Sequence, residues 1–418
     1  MKYDVEQVRA CFPSLHIPAE SGQLPVYFDN PAGSQVPQAV IDAVRDYYLT
    51  MNAYPGGAFA SSRRSEAMHY GARERMADLL NAARPEEIVF GPNMTTLSFA
   101  LTRALGKTLA PGDEIVVTRM DHDGNIAPWL RIAEDHDLVI RLVDIHTEDC
   151  TLDMDGLEAA LNERTRIVAT AHASNAVGTI NDAKQIAAMA HVAGALHVLD
   201  AVQSTPHIPI DVQDLGCDFL MCSAYKFCGP HIGVLWGRYD LLAELPVYKV
   251  RPAKDIAPFR FETGAPTFEL LNGLTAAVDF LAWIGAQFGE SPDPAAGRRG
   301  QLIQAMRAIE AYEQELGTHL IAGLQTIPGV TIAGITDPAR AAERVPTVAF
   351  VMEGYTPREI AEHLDRHDIY VWNGNYYAKE IMERLGRGEH GMVRVGPVHY
   401  NTIAEVDRLL DAVKLLVK

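Results

Sequence analysis

Seven short apolar runs recur between Ser65 and Trp236, and each is continuous rather than alternating with polar residues. They are Glu87–Phe90, Glu114–Val117, Leu138–Val143, Arg166–Thr170, His197–Asp200, Phe219–Cys222 and Gly233–Trp236, with helix-like stretches such as Glu66–Asn81 and Asp155–Asn162 between them. A strand that is apolar along its whole length has both faces buried. This pattern predicts an α/β fold with a mostly parallel seven-stranded sheet and helices on both faces. Sheets of that kind gather ligands at the carboxyl ends of their strands. The polar residues of this chain fall at those ends.

The pattern changes at a Gly-, Pro- and Ser-rich break, Gly289–Gly297. Beyond it come a long helical repeat (Ala305–Leu324), strand-like segments at Val330–Ala333 and Thr347–Met352, a helix at Pro357–Arg366, a strand at Ile369–Trp372 and a closing helix from about Ile403. This predicts a smaller α+β C-terminal domain at 289–418, a large domain at 26–288, and an N-terminal segment, 1–25, packing on the small domain.

Charge narrows the function. The 418-residue chain carries a net charge of −18, which disfavours nucleic acid and anionic membrane surfaces, since both are bound by clustered Lys and Arg. A polar N-terminus and the lack of a long apolar run argue for the cytoplasm and against a membrane. Five irregularly spaced cysteines include no C-x-x-C pair, and the histidines form no H-E-x-x-H, so no metal is expected.

Lys226 is the most telling strand-end residue. It lies in a Gly- and Pro-punctuated turn just after Phe219–Cys222, an odd place for a solvated charge. Asp200 closes a neighbouring apolar strand, where a carboxylate requires a partner. An amine and a carboxylate at adjacent strand ends suggest the Schiff-base lysine and the ring-nitrogen partner of pyridoxal 5'-phosphate. Gly91-Pro92-Asn93-Met94-Thr95-Thr96 opens a helix after a strand, as a phosphate cradle does, although an ordinary helix cap has the same composition. It matches neither G-x-G-x-x-G nor a nucleoside triphosphate loop. His122 follows another strand, where a histidine can stack on an aromatic ring although a lone histidine is more often structural, and Asn175 lies in a polar cluster after a third, which an ordinary hydrogen-bonded loop would also show. Gln203 and Ser223 complete the set, placed for a ring hydroxyl and for phosphate.

Together, Asp29-Asn30-Pro31-Ala32-Gly33, Asp121-His122-x-x-Asn125, His172-x-Ser174-Asn175-x-x-Gly178, Asp200-Ala201-Val202-Gln203 and Ser223-x-x-Lys226-x-x-Gly229-Pro230 resemble the class V aminotransferase family. The likeness is to its cysteine desulfurase and selenocysteine lyase branch among the fold-type I pyridoxal phosphate enzymes, and runs from about Tyr27 to the C-terminus. It implies that Lys226 carries the cofactor, with Asp200 on the pyridine nitrogen, Gln203 and Asn175 near the ring hydroxyl, and His122 on the ring face. Asn93, Met94, Thr95 and Ser223 would hold the phosphate, and Tyr225 would flank the lysine. Met392-Val393-Arg394-Val395-Gly396 resembles the segment bearing the arginine for a substrate carboxylate, and a planar charged fork suits that task. A homodimer is implied as well.

Three departures bear on the reaction. Desulfurases of this family carry a nucleophilic cysteine on a loop between the last strands. The matching stretch here, Tyr370–Ala378, has none and puts Tyr376 and Tyr377 in its place. A phenol with a pKa of about 10 does not accept sulfur. Tyr225 replaces a customary histidine, and Ala265 replaces a threonine that reaches the neighbouring subunit's phosphate, with Thr263 and Thr267 as possible substitutes. The expectation is C–S β-elimination on a cysteine-type amino acid, with Lys226 moving the Cα proton and His122, Tyr376 or Tyr377 managing protons at the leaving group. Rival readings are a desulfurase with an unconventional sulfur acceptor, an aminotransferase or epimerase, and a non-catalytic binding protein on the same scaffold.

Overall fold

The structure is a computed structural model that describes residues 3–290 and 297–417. A seven-stranded sheet forms its centre, in the order Ile88–Gly91, Gly233–Gly237, Phe219–Ser223, Leu196–Asp200, Thr165–Ala171, Glu114–Thr118, Val139–Val143. Neighbours from Phe219–Ser223 to Val139–Val143 run parallel. Gly233–Gly237 runs antiparallel to both of its neighbours. The cause is connection length. The chain between Ser223 and Gly233 is too short for a crossover, so the strand folds back beside its predecessor.

Both faces of the sheet are covered, as continuous apolar strands require. Leu220 and Cys222 face a cluster containing Met76, Leu80, Leu274 and Leu281. Phe219 and Met221 face the other way, toward Leu97, Leu101 and Trp129. Each such side chain contributes roughly 1.5–3 kcal/mol on burial, and the alternation fixes which strand-end residues point into the site. Val139–Val143, one of the two edge strands, departs from the expectation of burial on both faces, with Val139 and Leu142 36% and 38% exposed.

A second, antiparallel sheet is ordered Trp372–Gly374, Met392–Val395, Val348–Met352, Val330–Ala333. The expected strand Ile369–Trp372 is divided. Ile369–Tyr370 pairs in parallel with Val26–Tyr27, and Trp372–Gly374 turns away to join the second sheet. Asp29, two residues beyond that pairing, forms an isolated parallel bridge with Gly396. Residues at the N-terminus dock on several elements: Phe12 packs on Phe280 and Tyr400, and Arg9 forms an ion pair with Glu405 at 2.9 Å. Of the break read at Gly289–Gly297, residues 291–296 lie outside the described residues.

One expectation needs correction. Helix Phe268–Phe288 is, by length and composition, long and apolar enough to cross a bilayer. It is instead largely buried against helices Gln38–Thr50, Ala60–Leu80 and Gly297–Gln325, which explains an apolar content that a surface helix would not carry.

Candidate active site

A cavity of about 610 Å³ opens at the carboxyl ends of the parallel strands. The predicted residues Met94, Thr95, His122, Asn175, Asp200, Gln203, Ser223, Tyr225, Lys226, Tyr376, Tyr377 and Arg394 all line it. Asn93 does not. Its side chain turns back to accept hydrogen bonds from the Thr96 amide (2.9 Å) and hydroxyl (3.1 Å), so it caps helix Met94–Gly106. The cap keeps the first helical turn, and Thr95 with it, at the cavity wall.

Lys226 sits in a single 3₁₀ turn, Ala224–Lys226, directly after its strand. Its Nζ donates to the carbonyls of Pro31 and, at 3.0 Å, Ala32. Burial lowers its pKa to about 7; Arg394 pushes in the same direction, while Asp29 and Asp200 oppose. Asp200 is held by the Val202 amide at 2.9 Å, and burial raises its pKa to about 6 against the pull of that amide and of Lys226. Amine and acid thus titrate near neutrality because both are desolvated.

His122 caps the short turn Asp123–Asn125, its Nδ1 accepting from the Gly124 amide at 2.9 Å. Neutral imidazole in that tautomer keeps its proton on Nε2. Burial, then Lys226 and Arg394, lowers its pKa to about 4, so the ring is an uncharged face at neutral pH. A Cβ at Gly124 would lie 2.8 Å from Thr95 Oγ1 and 2.9 Å from His122 Nδ1, so this close approach requires glycine. Behind it, buried Asp121 bonds Thr118 and Asn125. Ser223 Oγ accepts from the Met94 amide at 3.1 Å, tying the lysine strand to the helix start. Tyr225 stacks on His231 with ring centroids 4.9 Å apart.

Arg394 arrives from the second sheet. Its Nη1 donates to the Asn175 carbonyl at 3.0 Å and its Nη2 lies 3.7 Å from Asp29 Oδ1, a charge contact rather than a hydrogen bond. Its guanidinium lies 4.6 Å from the Tyr376 ring centroid. Four buried atoms around it have no hydrogen-bond partner among the described residues: Arg394 Nε, Asn175 Oδ1, Asp29 Oδ1 and the Tyr376 hydroxyl. The two tyrosines differ. Tyr376 is buried and its hydroxyl lies beside the Met392 backbone, with burial driving its pKa far upward, so it is a support for Arg394 rather than a proton donor. Tyr377 is 72% exposed, and its ring tilts over His122 at 5.6 Å.

Among the described residues, no cysteine lines the cavity. Cys150, Cys217, Cys222 and Cys228 are buried, and burial raises the thiols of Cys150, Cys222 and Cys228 to about 11, 12 and 12. Thr263, Ala265 and Thr267 line a separate cavity of about 560 Å³. Residues carrying no role in the sequence reading also reach the site: Pro31 and Ala32 through their carbonyls, and Phe99 and Trp372 as wall. Pro31 and Ala32 lay inside a quoted motif, which was the available signal. Trp372 lies inside the Tyr370–Ala378 stretch, whereas nothing in the local pattern marks Phe99.

Comparison with known proteins places the chain in a family. The family model for aminotransferase class-V matches residues 26–292 and 302–409. The chain is 34% identical to a cysteine desulfurase of Pectobacterium atrosepticum, covering 98% of this chain and 97% of that protein. It is also 34% identical to the aminotransferase-like protein FGM3 of Gibberella zeae, over 99% and 98%. Among solved structures it resembles the apo cysteine desulfurase of Thermococcus onnurineus NA1, with a TM-score of 0.87 and 28% identity over 100% and 98% of the two chains. The cysteine desulfurase CsdA of Escherichia coli gives 0.84 and 28% over 99% and 98%.

Proposed function

Because the chain belongs to the aminotransferase class-V family, among relatives named cysteine desulfurases, we propose that it is a pyridoxal phosphate enzyme that cleaves the C–S bond of a cysteine-type amino acid by β-elimination. The carrying observation is a cavity that joins Lys226, Asp200 and Arg394 and contains no thiol. With nothing to take sulfur from the substrate, sulfur leaves as a thiolate.

The residues fit the cofactor. A desolvated amine, a buried carboxylate with one oxygen on an amide, a neutral imidazole face and the start of a helix are what a protonated pyridine ring with a phosphate arm calls for. Lys226 would carry it, Asp200 would hold its ring nitrogen, Gln203 would sit at its hydroxyl, and Thr95, Ser223 and the Met94 end of the helix would take its phosphate. When bound, the cofactor supplies an electron sink for charge developing at the substrate Cα.

The protein's part is binding and proton movement. Arg394 Nε, buried and unpartnered, and the Asn175 Oδ1 beside it receive the α-carboxylate and amino group of the substrate. Lys226 Nζ, with its pKa near 7, accepts the Cα proton at neutral pH. The Cβ–S bond then breaks with its electron pair going to sulfur. His122, whose protonated Nε2 is turned away from Gly124, would donate a hydrogen bond to that thiolate. Addition of water to the remaining fragment gives pyruvate and ammonium, so cysteine would yield pyruvate, ammonium and sulfide. As further parts of this reading, the enzyme is a homodimer, works in the cytoplasm and takes a small amino acid, not nucleic acid.

Product analysis with cysteine, cystine and selenocysteine tests the reaction. Pyruvate and ammonium in equal amounts are expected. Alanine with sulfane sulfur would instead mark a desulfurase, and a keto acid without sulfur release an aminotransferase.

A further inference from the structure

The polar network behind Gln203 extends away from the cavity and has no part in the chemistry above. Gln203 Nε2 lies 2.9 Å from Thr347 Oγ1 and 3.1 Å from His207 Nε2. His207 Nδ1 lies 2.6 Å from Glu313 Oε2, on helix Gly297–Gln325. All four side chains are at least nine-tenths buried. A chain of hydrogen bonds therefore connects a cavity-lining amide to a carboxylate that touches no part of the cavity.

Donor counting fixes its direction. Burial raises the pKa of Glu313 and His207 pulls it back down; in its ionised form Glu313 only accepts, so His207 then carries its proton on Nδ1, and in neutral imidazole Nε2 can only accept. Gln203 must turn its NH₂ toward His207. One hydrogen goes there and the other to Thr347, which leaves Oε1 free of protein donors among the described residues, on a side chain that lines the cavity. Were the tautomer reversed, His207 Nε2 would donate and the amide would have to flip, presenting NH₂ to the ligand.

We propose that Glu313 and His207 are positioning residues that set the hydrogen-bonding sense of Gln203, so that the cavity sees a carbonyl acceptor. The inference rests on the reading above that Gln203 meets the cofactor's ring hydroxyl. An acceptor there favours the protonated hydroxyl, and a donor favours its anion. The groups facing the pair are His399, with Nδ1 3.9 Å from Glu313 Oε1; Cys228, with Sγ 3.6 Å from His399 Nε2; Tyr3, bonded to the His399 carbonyl; and Glu310 on the same helix.

The test is the pH titration of the visible band of the lysine-bound cofactor in holoenzyme variants. Gln203→Ala and Glu313→Leu should move the midpoint in the same direction by about one pH unit, whereas Glu313→Gln, which keeps an acceptor for Nδ1–H, should retain the wild-type value. A loaded Glu313→Leu enzyme with the wild-type midpoint, beside a shifted Gln203→Ala, overturns the relay. An unmoved Gln203→Ala overturns it too, and shows separately that Gln203 does not meet the cofactor. Should Glu313→Leu not fold, nitrogen-15 NMR of histidine-labelled wild-type holoenzyme reads the tautomer directly, with the His207 signals assigned from a His207→Asn sample. A protonated Nδ1 and bare Nε2 are expected, and a protonated Nε2 overturns the inference.

Discussion

An ammonium in water releases its proton near pH 10, far too late to serve a reaction at neutral pH; Lys226 does so near 7 because burial and Arg394 both penalise its charge. The sign of the consequence is fixed. Below about 7 the amine is protonated and unreactive, so cofactor uptake by the apoprotein should speed up as pH rises and level off above that value. Stopped-flow growth of the visible band against pH measures it. Arg394→Gln removes a positive neighbour and should shift the midpoint upward. Lys226→Ala should abolish both the band and the borohydride-trapped adduct, with activity falling by roughly 10²–10⁴-fold. Arg394→Lys keeps the charge but loses the planar fork, and should raise KM for the amino acid on the order of tenfold to a hundredfold. Steady-state kinetics on that variant separates KM from kcat. The sequence already singled out Lys226, Asp200 and His122, because each is a polar residue at or shortly after the end of an apolar run, and Arg394 through the resemblance of its segment to the family. The carbonyls of Pro31 and Ala32 were beyond its reach as lysine partners, since backbone atoms almost 200 residues away leave no mark in local composition.

The segment from Trp372 to Tyr377 shows what an element can hide. Its composition suggests two interchangeable phenols, and only the backbone separates them. Tyr376 and Tyr377 both adopt left-handed conformations, with φ of 54° and 57°, which cost a non-glycine residue on the order of 1–2 kcal/mol each. That cost is offset by two tethers: Asn175 Nδ2 to the Tyr376 carbonyl at 2.9 Å and the Asp123 amide to the Tyr377 carbonyl at 2.6 Å. Consecutive left-handed residues turn one ring inward under Arg394 and the other out over His122. Tyr376→Phe removes a hydroxyl that makes no well-formed hydrogen bond among the described residues, only an approach to the Met392 backbone, so kcat/KM and Tm should stay within about a factor of two and a few degrees of wild type. Tyr376→Leu removes the ring beneath the guanidinium and should raise KM. If Tyr376→Phe alone lost activity, the hydroxyl would have a role that its burial argues against. The antiparallel Gly233–Gly237 was equally hidden, because burial on both faces reads the same in either strand direction.

For the molecule as a whole, the site depends on pieces of chain that meet only after folding: Lys226 and Asp200 from the central sheet, Arg394 from the second sheet, and residues 29–32 between them. Helices Phe268–Phe288 and Gly297–Gln325 pack so closely that a Cβ at Gly285 would run into the Gln301 backbone. Alanine in a helix interior ordinarily gains roughly 1 kcal/mol over glycine. Here overpacking, at about 1–3 kcal/mol or more, outweighs that gain, so Gly285→Ala should lower Tm. Calorimetry gives the sign. The fold class was legible because it follows from burial, which composition records; the meeting of distant pieces was not.

The contact of Lys226 with Pro31 and Ala32 has a consequence for those pieces. Nζ cannot keep both carbonyl bonds and also form a covalent bond to an aldehyde carbon. Loading the enzyme must therefore release the strap at residues 29–32, which on its other side is fastened to Gly396 and Tyr400. That short stretch of main chain is a built-in gauge of occupancy, and its amide exchange should distinguish the empty protein from the loaded one without any reading of colour.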